Sequence, residues 1–139
     1  MDKTWARQTQ QTDRTGGEKD TTYRRQDKTK EDRDRADPDK AKWYLYDLGN
    51  ADSLINQRLL FDASSYITPT SKGLPDGLKA DGGGNIFATG PGGVYIFNAS
   101  GKLLGRMLIP EACSNVALAE EGKVLFITAD MYVLRVKLR

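Results

Sequence analysis

Asp76-Gly77-Leu78-Lys79-Ala80-Asp81 and Asn115-Val116-Ala117-Leu118-Ala119-Glu120 read as two copies of one strand. Each opens on a side-chain carboxylate or amide, runs through aliphatic and small residues, and closes on an acid. Further along, in the same register, Phe87-Ala88-Thr89 matches Phe126-Ile127-Thr128, and Val94 to Phe97 matches Val133 to Val136. The period is roughly 40 residues with about four strands per unit, which predicts the blades of a β-propeller. Chance likeness between two β-hairpins is the competing explanation.

The flanking sequence fits the same reading. Trp43 to Leu48, Ile55 to Asp62, Leu78 to Asp81, Asn85 to Thr89, Val94 to Asn98, Leu103 to Ile109, Val116 to Ala119, Val124 to Thr128 and Tyr132 to Leu138 are short apolar runs. Gly, Asn, Asp and Pro separate them, and no stretch shows helical periodicity. Phe87, Phe97, Phe126, Leu104, Ile109, Val124 and Leu134 are the expected core between blades. Trp43 and Tyr46 are expected in the outer part of a partial blade.

Composition divides the chain. Overall, 38% of residues are hydrophobic and 29% are charged, but residues 1–42 hold almost all of the polar excess. They predict a charged, disordered tail of mixed sign, and residues 43–139 must build the core. The net charge of +2 is too small to imply nucleic acid or membrane as a partner. No apolar leader or long apolar run occurs, so the expected location is cytoplasmic. Cys113 is the only cysteine and histidine is absent. Disulfides, triads and imidazole chemistry are thereby excluded, and Cys113 reads as a packing residue.

The repeat aligns Asp76 with Asn115 at the head of the first strand in each unit. In a propeller that strand lines the central channel, so such positions converge at one mouth and offer oxygen ligands to Ca²⁺ or Mg²⁺. Taken alone, Asp76 also suits a role in its Pro75-Asp76-Gly77 turn, and Asn115 a backbone cap.

Gly73 to Asp81, followed by Gly84-Asn85-Ile86-Phe87-Ala88-Thr89-Gly90-Pro91-Gly92-Gly93-Val94, resembles the gluconolactonase family. That family includes senescence marker protein (regucalcin) and luciferin-regenerating enzyme. Gly101-Lys102-Leu103-Leu104-Gly105 and Leu125-Phe126-Ile127-Thr128-Ala129 continue the likeness in order. The resemblance covers residues 43–139 as the C-terminal part of the family domain. It implies a six-bladed propeller with one divalent metal at the channel mouth. The metal polarises a lactone carbonyl while a carboxylate helps to activate water. It implies that Asp76 is a metal ligand and the catalytic base, and that Asn115 lines the channel without a ligand role. The implied metal is Ca²⁺, with Zn²⁺, Mg²⁺ or Mn²⁺ as alternatives, and the implied partner is a small sugar lactone. Asp81, Asn85 and Gly90 to Gly93 read as turn formers.

The family's remaining ligands, a glutamate in the first blade and asparagines in the middle blades, belong to motifs absent here. Six blades need roughly 240 residues. The expectation is therefore a partial propeller: about two four-stranded blades plus two strands of a third, after the tail. A truncated gene, a mispredicted start or a partial sequence would account for it. Three functions compete. One is a metal-dependent sugar-lactone hydrolase, of which this chain is an incomplete copy with little activity of its own. The others are a non-catalytic fragment or interaction module, and a calcium-binding regulatory protein. Open strand edges predict self-association.

Overall fold

The computed structural model describes Trp5–Arg7, for the backbone alone, and residues 40–138. Three antiparallel sheets account for the strands in these residues. The first holds β1 (Trp5–Arg7), β2 (Lys42–Leu48) and β3 (Leu54–Asp62), in that order. The middle sheet holds β4 (Leu78–Ala80), β5 (Ile86–Gly90), β6 (Gly93–Phe97) and β7 (Leu103–Leu108), again in chain order. The last holds β8 (Cys113–Ala119), β9 (Val124–Ala129) and β10 (Tyr132–Lys137).

Every strand expected after Lys42 is found, and β8 extends forward to Cys113. The fold is an all-β, partial β-propeller with one four-stranded blade flanked by two three-stranded sheets. Most of the tail expected over residues 1–42 lies outside the described residues. Two features go beyond that expectation. Ala41 is fully buried and Lys42 opens β2, so the ordered part begins before Trp43. Trp5–Arg7 runs antiparallel to β2, with Ala6 opposite Leu45, and adds a third strand where two were expected.

Alternation along the middle sheet explains the stack. In a strand, neighbouring side chains point to opposite faces. Phe87 and Val94 face the last sheet, where they pack with Ile109, Cys113, Val116, Leu125, Ile127 and Ala129. Ala88, Tyr95 and Phe97 face the first sheet, where they pack with Ala41, Trp43 and Ala63. The middle sheet is thus covered on both sides, and its β5 and β6 are almost entirely buried.

Trp43, expected to pack in the outer part of its blade, is the centre of the first cluster and packs against β6. It is 1% exposed. Its ring centroid stands 4.9 Å from Tyr95 and 5.7 Å from Phe97, the latter edge-on. Tilted and edge-to-face contacts of this kind suit the aromatic quadrupole. Gly90 makes room for the indole, since a Cβ there would lie 2.7 Å from Trp43 Cη2. Register shifts between Trp43 and Tyr44 and between Leu45 and Asp47 place the extra residues of this sheet on β3.

Of the other expected core residues, Phe87, Phe97, Ile109 and Val124 are buried. Leu134 is half-buried against the second cluster, and Phe126 and Tyr46 are also half-buried. Leu104 is a correction: it is 59% exposed, because β7 is an outer strand whose solvent side carries it. Phe126 occupies the repeat position of Phe87, on the face that points away from the middle sheet, so it has no third sheet among the described residues to pack on. No helix among the described residues is long and apolar enough to cross a membrane.

Trp43→Ala should destabilise the chain by about 3–5 kcal/mol, as for other large-to-small core changes, whereas Leu104→Ser should shift stability by no more than about 0.5 kcal/mol. Urea denaturation followed by circular dichroism measures both.

Candidate active site at the head of the inner strands

β4 and β8 are the first strands of their sheets, and they lie close together at the heads of both. The turn into β4 is Pro75-Asp76-Gly77, in which Pro75 is buried and Asp76 is exposed. Thr89 of β5, with no exposed surface, fastens this turn from behind. Its amide donates to the Gly77 carbonyl at 2.9 Å. Its hydroxyl donates to the same carbonyl at 3.2 Å. The Asp76 and Gly77 amides donate to Thr89 Oγ1 at 3.3 and 3.0 Å. One hydroxyl proton and two lone pairs are all used, which is the full capacity of a threonine. The Asp76 backbone is therefore fixed from the interior while its carboxylate stays on the solvent side.

Asn115 packs directly against this turn. A Cβ on Gly77 would lie 2.7 Å from Asn115 Cγ and 2.8 Å from its Cα, so this contact requires glycine. Asn115 Oδ1 accepts from the Val116 amide at 2.9 Å and from Lys79 Nζ at 3.4 Å. The Thr128 hydroxyl donates to the Asn115 carbonyl at 3.3 Å and shares a 2.8 Å hydrogen bond with Ser114 Oγ. Thr128 thus ties the head of β8 to β9, from an exposed position.

This pairing corrects the repeat alignment by one residue. Leu78 stands opposite Ala88, and Val116 stands opposite Ile127. Ala88 and Ile127 are repeat partners, so Leu78 corresponds to Val116 and Gly77 to Asn115. Between equivalent cross-strand pairs, the β8–β9 connection is one residue longer than the β4–β5 connection. An irregularity between Cys113 and Asn115 accompanies the shift. Sequence matching of the strands alone could not see it.

The structure brings the heads of β4 and β8 together as expected, with Gly77 as the point of contact. Thr89 and Lys79 were missed. Thr89 carried a signal, its recurrence as Thr128, whereas a surface lysine on a strand gives none. Asp81 and Asn85 close the β4–β5 turn. Burial pushes the Asp81 carboxyl up, but hydrogen bonds from the Asn85 side chain and from backbone amides outweigh it and hold the carboxyl below its ordinary value. Cys113 is 3% exposed within the second cluster. Burial, with the Glu111 carboxylate nearby, pushes its thiol up to about 11. Such a thiol is protonated near neutral pH and is no nucleophile.

Among the described residues, no group of three His, Cys, Asp or Glu side chains gathers. The oxygen donors at the strand heads include the free-facing Asp76 carboxylate and an Asn115 oxygen already engaged by two donors. Calcium takes about six to eight oxygen ligands, so the described residues fit a contribution to a cation site and do not complete one.

Residues 35–130 match the family model described as the SMP-30/Gluconolactonase/LRE-like region. The chain belongs to this family. It is 36% identical to a gluconolactonase of Zymomonas mobilis, in an alignment covering 72% of this chain and 32% of the relative. It resembles the solved structure of a gluconolactonase from Xanthomonas campestris, with a TM-score of 0.53 and 26% identity, over 73% of this chain and 35% of that one. It also resembles a luciferin-regenerating enzyme, with a TM-score of 0.53 and 25% identity, over 68% of this chain and 32% of that one. The chain thus spans about a third of the length of these family members.

Thr89→Val should destabilise the fold by about 1–3 kcal/mol, because it strands the Asp76 and Gly77 amides that donate to the hydroxyl, and Thr89→Ser should recover most of the loss. Native Cys113 should react with a thiol reagent at pH 8 more than about tenfold slower than in denaturant, since its thiolate fraction is small and its sulfur is covered.

Proposed function

We propose that this chain carries the Pro-Asp-Gly corner of a metal-dependent site that hydrolyses sugar lactones. Family membership and the gluconolactonase relatives support the reaction class. The observation that carries the assignment to a residue is Asp76: an exposed carboxylate on a turn held by a fully buried threonine, at the head of an inner strand.

Lactone opening adds water to the carbonyl carbon and breaks the ring C–O bond, giving a hydroxy acid. Asp76 would accept the proton as water adds and return it to the departing ring oxygen. Thr89 holds its backbone so that the carboxylate does not drift. Asn115 and Lys79 form the neighbouring wall, with Lys79 fixing the amide orientation. A bound divalent cation, Ca²⁺ first and Zn²⁺, Mg²⁺ or Mn²⁺ as alternatives, would polarise the lactone carbonyl. Asp76 would be this chain's ligand to it, with the remaining ligands supplied from outside the described residues.

A second reading, a propeller module that does not turn over lactone by itself, is favoured because, among the described residues, no group of three His, Cys, Asp or Glu side chains gathers beside Asp76. The two readings part in one experiment on the full chain. Ca²⁺ is titrated by calorimetry while gluconolactone hydrolysis is followed by base consumption, for the chain and for Asp76→Asn. The proposal expects both signals above blank in the chain and both abolished in Asp76→Asn with unchanged circular dichroism. Neither signal in a folded chain would establish the second reading. Binding and turnover that survive Asp76→Asn would remove Asp76 from the chemistry.

A further inference from the structure

We infer that the Thr89 hydroxyl protects the Asp76-Gly77 pair from closing to a succinimide, and so keeps Asp76 from becoming isoaspartate. The inference is independent of the lactonase reading.

The chain holds two Asp-Gly pairs, Asp76-Gly77 and Asp81-Gly82. In such a pair the glycine nitrogen attacks the aspartate Cγ, because no side chain on the glycine shields it. The N–Cγ bond forms and a Cγ–O bond breaks. The glycine amide proton and one proton from solvent leave with the expelled oxygen as water. A second water then opens the five-membered ring at either carbonyl. Opening at the main-chain carbonyl reroutes the backbone through the side-chain carbons and leaves a carboxylate one carbon shorter. At Asp76 that change would displace both the carboxylate and the turn that presents it.

Ring closure has a definite geometry. Gly77 N must swing to the Cβ side of the Asp76 Cα–C bond. The tetrahedral Cα sets its own nitrogen and its Cβ well apart about that bond, so bringing the two successive nitrogens together takes Gly77 N away from Cβ. The turn holds that second arrangement. The Asp76 and Gly77 amides both donate to Thr89 Oγ1, at 3.3 and 3.0 Å. Successive N–H groups converge on one acceptor in this way only when their nitrogens lie on one side of the chain. The Gly77 carbonyl is held as well, accepting from the Thr89 amide at 2.9 Å, and Asn115 packs where a Gly77 side chain would stand. Rotation into the attacking geometry therefore breaks hydrogen bonds to a residue with no exposed surface. Asp81-Gly82 is held otherwise. The Asp81 carboxylate accepts from the Gly83 and Asn85 amides and from the Asn85 side chain, each at 2.8 Å. Thr89 takes no part there, so this pair is an internal reference.

The full chain is kept in warm neutral buffer, folded and in urea, and isoaspartate at each pair is followed by peptide mapping with electron-transfer mass spectrometry. Folding should slow conversion at Asp76 by about tenfold or more, the population cost of giving up two hydrogen bonds. Thr89→Val should restore most of that factor at Asp76 and leave Asp81 unchanged, while Thr89→Ser should keep the slow rate. A variant that merely unfolds would bring both pairs to their urea rates together, so the ratio between the pairs separates loss of the hydroxyl from loss of the fold. In that event the unaltered chain decides: its Gly77 amide should exchange with deuterium about tenfold or more slower than in urea. Three results would each overturn the inference. They are conversion at folded Asp76 as fast as in urea, a Gly77 amide that exchanges at its unfolded rate, and a folded Thr89→Val in which Asp76 converts no faster.

Discussion

The two central strands of the middle sheet, β5 and β6, have almost no face left for water. A sheet buried on one side can alternate apolar and polar residues, but one buried on both must be apolar throughout and needs two covers. β5 and β6 meet that demand with Phe87 and Val94 on one side and Ala88, Tyr95 and Phe97 on the other. Burial at roughly 25 cal/mol per Å² of apolar surface makes these two clusters the main source of stability. The flanking sheets depend on this arrangement, because each is covered on the side that meets the middle sheet. Trp43 fills the first gap and the aliphatic set around Leu125 and Ile127 fills the second.

Much of this was legible in the sequence because β-blades repeat. The strand succession, the likeness of Phe87 to Phe126 and the turn residues between strands all follow from local pattern. Two things did not. The close approach of the Trp43 indole to Gly90 could not be read, because a strand's own pattern does not say which residue of another sheet it meets. Leu104 looked like core because a leucine in an apolar run gives no hint that its strand lies outermost, with one side in water.

The candidate site was legible in a different way. Asp76 stood out through the Pro-Asp-Gly motif, and its position at the head of an inner strand agrees with that. What the motif could not convey is the means of support. Thr89 spends every hydrogen bond of its hydroxyl on the turn, and that is a property of the folded pair of strands. The one-residue shift that sets Gly77, and not Asp76, beside Asn115 has the same origin. A longer hairpin connection changes the pairing of β8 without changing the look of its sequence.

The support for Asp76 and the packing of the sheets are one mechanism. Thr89 is buried because β5 is covered on both faces, and Gly77 is pressed against Asn115 because the last sheet seats on the middle one. Loss of the second cluster would therefore remove the Asn115 side of the turn's support. Among the described residues the last sheet is covered on the face that meets the middle sheet. Its retention controls how firmly the Asp76 carboxylate is held.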